Sequence, residues 1–145
     1  MAYNKYKVNS NLESGMKVKV NNTRGHEIII DEPEAMGGTD EGMNPVEITL
    51  ASLAGCLSIT AAFLAKKMKI KIDSLSIDVE GDIDEKAMTS AEVFSGFKKI
   101  RYNIKIESNS SQDKIDKLIN SIEDYCPVSD TLTRAVDVKG DYLLV

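Results

Sequence analysis

The segment that most limits how this chain can fold runs from Asn44 to Met68, and it holds no charged residue between Glu47 and Lys66. Val46, Leu50, Leu53, Leu57, Ala61, Leu64 and Met68 recur every three or four residues, the period of an α-helix. Pro45 suits the first helical position and Asn44 the cap before it. A helix without a charged face is expected to be buried on most of its sides. In a chain of 145 residues, that places the helix at the centre of the fold, within a dimer. Short chains leave much of their surface exposed, and association is a common way to bury more of it.

The remaining patterns are shorter. Tyr6 and Val8, then Met16, Val18 and Val20, alternate with polar residues, and isoleucines 28–30 follow the Arg24-Gly25 turn. This predicts two or three strands in a meander. Residues 31–45 (DEPEAMGGTDEGMNP) form a loop by composition. It is longer than an ordinary connection, and its acidic part, residues 31–41, either closes over a site or only joins strand to helix. Leu75, Ile77 and Val79 predict a half-buried strand, residues 82–95 a polar loop, and Ile100, Tyr102, Ile104 and Ile106 a second strand. A helix capped near Ser110 or Ser111 carries Ile115, Leu118, Ile119 and Ile122, and ends at Cys126-Pro127. Residues 128–134 read as a short helix and 142–145 as a last strand. The expectation is one domain over residues 1–145, of α+β class and without repeats.

Charge and composition narrow the function. A net charge of −5 with scattered Lys and Arg argues against nucleic acid as a partner. The opening MAYNKYKVNS lacks the apolar core of a signal peptide, and no apolar run reads as a membrane span. The expected setting is a reducing cytoplasm, where two cysteines are free or catalytic thiols rather than a structural bridge. His26 is the only histidine, and no C-x-x-C or H-x-x-x-H spacing occurs, so no metal site is expected.

Cys56 sits in the middle of the long helix, 70 residues before Cys126. A buried cysteine often only fills space. On a helical wheel, however, Thr49, Ser52, Cys56 and Thr60 share a face, and a thiolate among hydroxyls can accept hydrogen bonds. Ala54 and Gly55 are small enough for close approach of a substrate. If Pro127 opens a short helix, Cys126 is its N-cap, where amide groups and the helix dipole favour the thiolate. The same Cys-Pro pair also serves as a plain helix terminator.

The stretch GGTDEGMNPVEITLASLAGC at 37–56, taken with CPVSDTL at 126–132, resembles the OsmC/Ohr-like family of small thiol proteins. The shared features are a Gly-rich loop, an Asn-Pro opening a long helix, and a cysteine eleven residues after that proline. A second cysteine in a Cys-Pro segment follows near the C-terminus. The resemblance implies antiparallel sheets wrapped round a long central helix in an intertwined homodimer, with active sites at the interface. It implies that Cys56 attacks a hydroperoxide and becomes a sulfenic acid, and that Cys126 resolves it to a disulfide. An external dithiol would reduce that disulfide, with no bound cofactor.

This chain also departs from the family pattern. Peroxidase members carry a carboxylate directly after the Asn-Pro proline, paired with an arginine. Here that position is Val46, and the acid follows at Glu47. Glu47 precedes Cys56 by nine residues, and about 900° of helical rotation sets it on the opposite side of its own helix. Arg24, the only arginine before Cys56, is the candidate partner, or else a turn residue with a solvated head. Val46 resembles a less characterised OsmC-like branch. The expectation is a retained thiol pair with peroxidase activity reduced or redirected. The alternative is a dimer that binds a small molecule, with Cys56 as a lining residue.

Overall fold

In the computed structural model, which describes residues 1–145, the chain opens with β1 (Val8–Ser14), β2 (Lys17–Asn22) and β3 (Glu27–Ile30). They form the expected antiparallel meander, with Val20 opposite Ser10 on one side and Ile28 on the other. The β2–β3 turn places Gly25 at φ 88°, a conformation that glycine adopts without a Cβ clash. The Asn22 side-chain oxygen closes this turn by accepting the Arg24 and His26 N–H groups.

A buried carboxylate orders the acidic loop that follows. Asp31 accepts the Thr39 hydroxyl at 2.6 Å and the N–H groups of Glu32, Thr39 and Glu41 at 2.8, 3.0 and 3.2 Å. The Thr39 hydroxyl, followed by the three amides, outweighs the cost of burial and lowers the Asp31 pKa from 3.8 to about 2. The backbone folds tightly round this carboxylate. A Cβ on Gly38 would lie 1.8 Å from the Glu32 carbonyl oxygen, so no other residue fits there.

The chain divides into two compact units, Met1–Thr49 and Leu50–Val145. Helix α1 (Pro45–Met68) begins in the first. Asn44 and Glu47 cap it reciprocally: each side chain accepts the other's backbone N–H at 2.9 Å.

The second unit holds the core. Its elements after α1 are β4 (Ser74–Asp82), β5 (Lys99–Glu107), α2 (Gln112–Tyr125) and α3 (Pro127–Thr133). Leu53, Leu57, Ala61, Leu64 and Ala65 form the buried stripe of α1 and join Leu118 and Ile122 of α2. The inner face of the β4–β5 hairpin packs on this cluster, with Leu75, Ile77 and Val79 opposite Ile106, Ile104 and Tyr102. The outer face carries charge. Arg101 pairs with Glu80 and Asp82, and Lys105 with Asp78. Alternation of apolar and polar residues is thus what orients the hairpin.

Within the single chain, α1 is buried along one stripe, and its other side is open: Ile59 is 73 % exposed and Phe63 54 %. One helix and a two-stranded sheet cover only one side of it. Two expectations are corrected. First, residues 142–145 form no strand, because an extended segment becomes one only by hydrogen bonding to a neighbour, and Tyr142, Leu143 and Leu144 are exposed instead. Second, an apolar run of membrane-spanning length does exist. The 24 residues of α1 are long and apolar enough to cross a bilayer, yet its packed stripe is that of a core helix.

Candidate thiol site

Both cysteines belong to the second unit, and neither is in a disulfide. Cys56 lies half-buried in the middle of α1, packed against the core cluster that contains Cys126. Cys126 occupies the corner between α2 and α3, at φ −91° and ψ 106°. This extended backbone is what the following Pro127 requires. Its own N–H donates to the Glu123 carbonyl at 3.3 Å, and its sulfur accepts the Ser129 N–H at 3.4 Å. Cys126 is therefore the N-cap of α3.

The acidity expected from that N-cap is not found. At 1 % exposure, burial raises the Cys126 pKa above 9.0, and the Ser129 and Val128 amides only partly oppose it. The Cys56 thiol lies close enough to act on Cys126 by hydrogen bonding and by charge, and both effects raise it further. Burial wins because taking a thiolate out of water costs more than one or two amide hydrogen bonds return. Cys126 is thus held as a neutral thiol in the cluster against which Cys56 packs.

Sequence reasoning missed two further groups. Tyr102 extends from the inner face of β5, and its hydroxyl donates to the Glu123 carboxylate in the last turn of α2. Burial, then the Glu123 acceptor and charge, then the Cys126 charge hold the phenol well above its ordinary pKa. The available signal was a lone phenol within the apolar row Ile100, Ile104 and Ile106. Tyr102, Glu123 and Ser129, with Lys98 and Lys99, are among the polar residues of a groove of about 550 Å³, whose apolar wall includes Leu53, Phe97, Ile100 and Leu132. The Phe97 ring rests directly on Gly81, where a Cβ would fall 2.6 Å from a ring carbon. Glycine therefore ends the inward row Leu75, Ile77, Val79 because an aromatic ring occupies the space of its side chain.

The other sequence-derived candidates lie in the first unit. Arg24 is in the exposed β2–β3 turn, and Glu47 is engaged in capping α1. No cluster of His, Cys, Asp and Glu is arranged to hold a metal ion.

Comparison with known proteins places the chain. A model of the OsmC-like protein family matches residues 38–140, a span that includes both cysteines. The organic hydroperoxide resistance protein OhrB of Bacillus subtilis is 29 % identical over 108 residues, 74 % of each chain. A hydroperoxide reductase of Mycoplasma pneumoniae is 27 % identical over 101 residues, 70 % of each. Among solved structures, an OsmC-like protein from Mycoplasma pneumoniae superposes with a TM-score of 0.78 at 24 % identity, covering 90 % of this chain and 88 % of that one. The structure of Bacillus subtilis OhrB superposes with a TM-score of 0.59 at 26 % identity, covering 95 % and 97 %. With the family model spanning more than half of its length, this chain belongs to the OsmC-like protein family.

Proposed function

We propose that the protein is a cysteine-based reductase of organic hydroperoxides or hydrogen peroxide, with Cys56 as the attacking thiol and Cys126 as the resolving one. The Cys56 thiolate attacks the distal peroxide oxygen, the O–O bond breaks, and the leaving alkoxide (hydroxide from hydrogen peroxide) takes a proton to become an alcohol (or water). The Cys56 sulfenic acid then condenses with Cys126: the S–S bond forms, the S–O bond breaks, and the hydroxyl leaves as water with the Cys126 proton. An external dithiol reduces the disulfide, in a reducing compartment and without a bound cofactor.

One observation carries the proposal: two thiols 70 residues apart in sequence pack in one core cluster, and Ser129, whose N–H holds the Cys126 sulfur, lines a groove with an apolar wall. The relatives named for hydroperoxide resistance and hydroperoxide reduction support the same chemistry. The partly accessible position of Cys56 suits attack on a small substrate, and the neutral Cys126 suits a group that waits for the sulfenic acid. The working unit in this proposal is a homodimer. Arg24 and Glu47 are its candidates for orienting the peroxide, and a slower first step in Arg24→Ala, with thermal stability unchanged, supports that role.

The test is stopped-flow oxidation of the reduced protein by cumene hydroperoxide and by hydrogen peroxide. A second-order reaction lost in Cys56→Ser, with both thiols consumed and the monomer lighter by two hydrogens, is the expected result. Thiols that remain fully countable after either peroxide would sink the proposal.

A further inference from the structure

The last turn of α2 carries Glu123 and Asp124 and no basic residue, although the C-terminal end of a helix dipole favours cations. Glu123 has compensating contacts there. Its carboxylate accepts the Tyr102 hydroxyl from β5, and its main-chain carbonyl accepts the Cys126 N–H at 3.3 Å. On the other side of the corner, the Ser129 N–H holds the Cys126 sulfur at 3.4 Å. Tyr102 itself packs against the core cluster that includes Cys126. One glutamate thus joins the sheet, by its side chain, to the cysteine's backbone, by its main chain.

We propose that Tyr102 and Glu123 are positioning residues for Cys126: their hydrogen bond ties the α2–α3 corner to β5 and keeps the Cys126 sulfur in line with Cys56. This rests on the thiol-pair reading above and adds residues that govern its second step. Disulfide formation needs the two sulfurs at bonding distance with a restricted dihedral, so it depends on where the corner is held. Attack of Cys56 on an oxidant requires no movement of that corner. The tie therefore acts on resolution of the sulfenic acid rather than on its formation.

The experiment follows the lifetime of the sulfenic acid. Reduced protein is mixed with one equivalent of cumene hydroperoxide, and dimedone-trapped sulfenic acid is timed against disulfide by mass spectrometry. In Tyr102→Phe and Glu123→Ala the disulfide forms at least about tenfold more slowly than in the wild type, since a misplaced reacting group loses rate steeply. Glu123→Gln, which keeps an acceptor for the phenol, restores most of the rate; a role for the charge alone would leave it slow. Wild-type rates of disulfide formation in Tyr102→Phe would overturn the proposal. Diamide separates this outcome from failure of the peroxide reading. Cys56 adds across its N=N bond, and Cys126 then displaces the hydrazine to leave the same disulfide. A slowed second step with diamide supports the tie even if peroxides do not react, and an unchanged one refutes it.

Discussion

Cys126 shows how two local influences can oppose each other at one atom. Its place at the head of α3 brings amide hydrogens to the sulfur, but its burial dominates and the thiol stays protonated. Because the thiolate is the nucleophile, iodoacetamide at pH 8 is expected to label the partly accessible Cys56 and spare the buried Cys126. Cys126 labelling should rise only as the pH passes the ordinary thiol value of 9.0 or when the chain is unfolded. Peptide mass mapping after timed alkylation checks this, and equal labelling of both cysteines at pH 8 would contradict it. Gly81 is the other residue whose identity is dictated by a neighbour. A methyl group there would meet the Phe97 ring at 2.6 Å, against about 3.5–4.0 Å for an ordinary carbon contact. The ring must then shift by about an ångström. Gly81→Ala should therefore lower thermal stability. Adding Phe97→Ala should abolish this effect of Gly81→Ala, as a double-mutant cycle would show.

At the scale of elements, α1 is stabilised at its start by capping and along its length by packing. Leu57 is fully buried between α1, α2 and the hairpin. Leu57→Ala should cost about 2–5 kcal/mol by deleting buried methyl groups and leaving a cavity, measured as a lower urea midpoint. Asn44→Ala, which removes only the cap, should cost about 1 kcal/mol. The acidic loop depends on its buried carboxylate. Because the folded state lowers the Asp31 pKa from 3.8 to about 2, its stabilising contribution is fully present above 3.8 and is lost as pH falls towards 2. Asp31→Asn should lower stability at neutral pH and flatten the acid limb of the stability profile in that window. Thermal unfolding at a series of pH values reads both effects, and an acid limb identical to the wild type would show that the loop does not depend on this ionisation.

For the molecule as a whole, the outer side of α1 has the largest consequence. Ile59 and Phe63 are exposed there with Gly55 and Ala62, and the Lys67 ammonium lies over the Phe63 ring, 4.5 Å from its centre. Water contact along so apolar a helix is unfavourable, which supports the proposed homodimer. Sedimentation at micromolar concentration should give twice the chain mass, and Ile59→Asp should shift it towards the monomer. A wild-type protein that stays monomeric would remove the dimer from the proposal. How much of this was legible in the sequence varies with the range of the interaction. The half-buried hairpin could be read from Leu75, Ile77 and Val79 because alternation is a property of adjacent residues. The sheet position expected for 142–145 failed because apolar character alone supplies no hydrogen-bonding neighbour.

By itself the sequence determined the elements whose causes are local. The Asn-Pro start and uncharged run set α1, the alternation set β4 and β5, and the Cys-Pro pair set the corner after α2. The family too was legible, because its two blocks are short and contiguous. Only the tertiary structure decided that Cys56 packs against the cluster holding Cys126, that burial overrides the N-cap at Cys126, and that Tyr102 reaches Glu123. Helical period and capping are set within a few residues, whereas desolvation and contacts between distant residues exist only once the whole unit has packed.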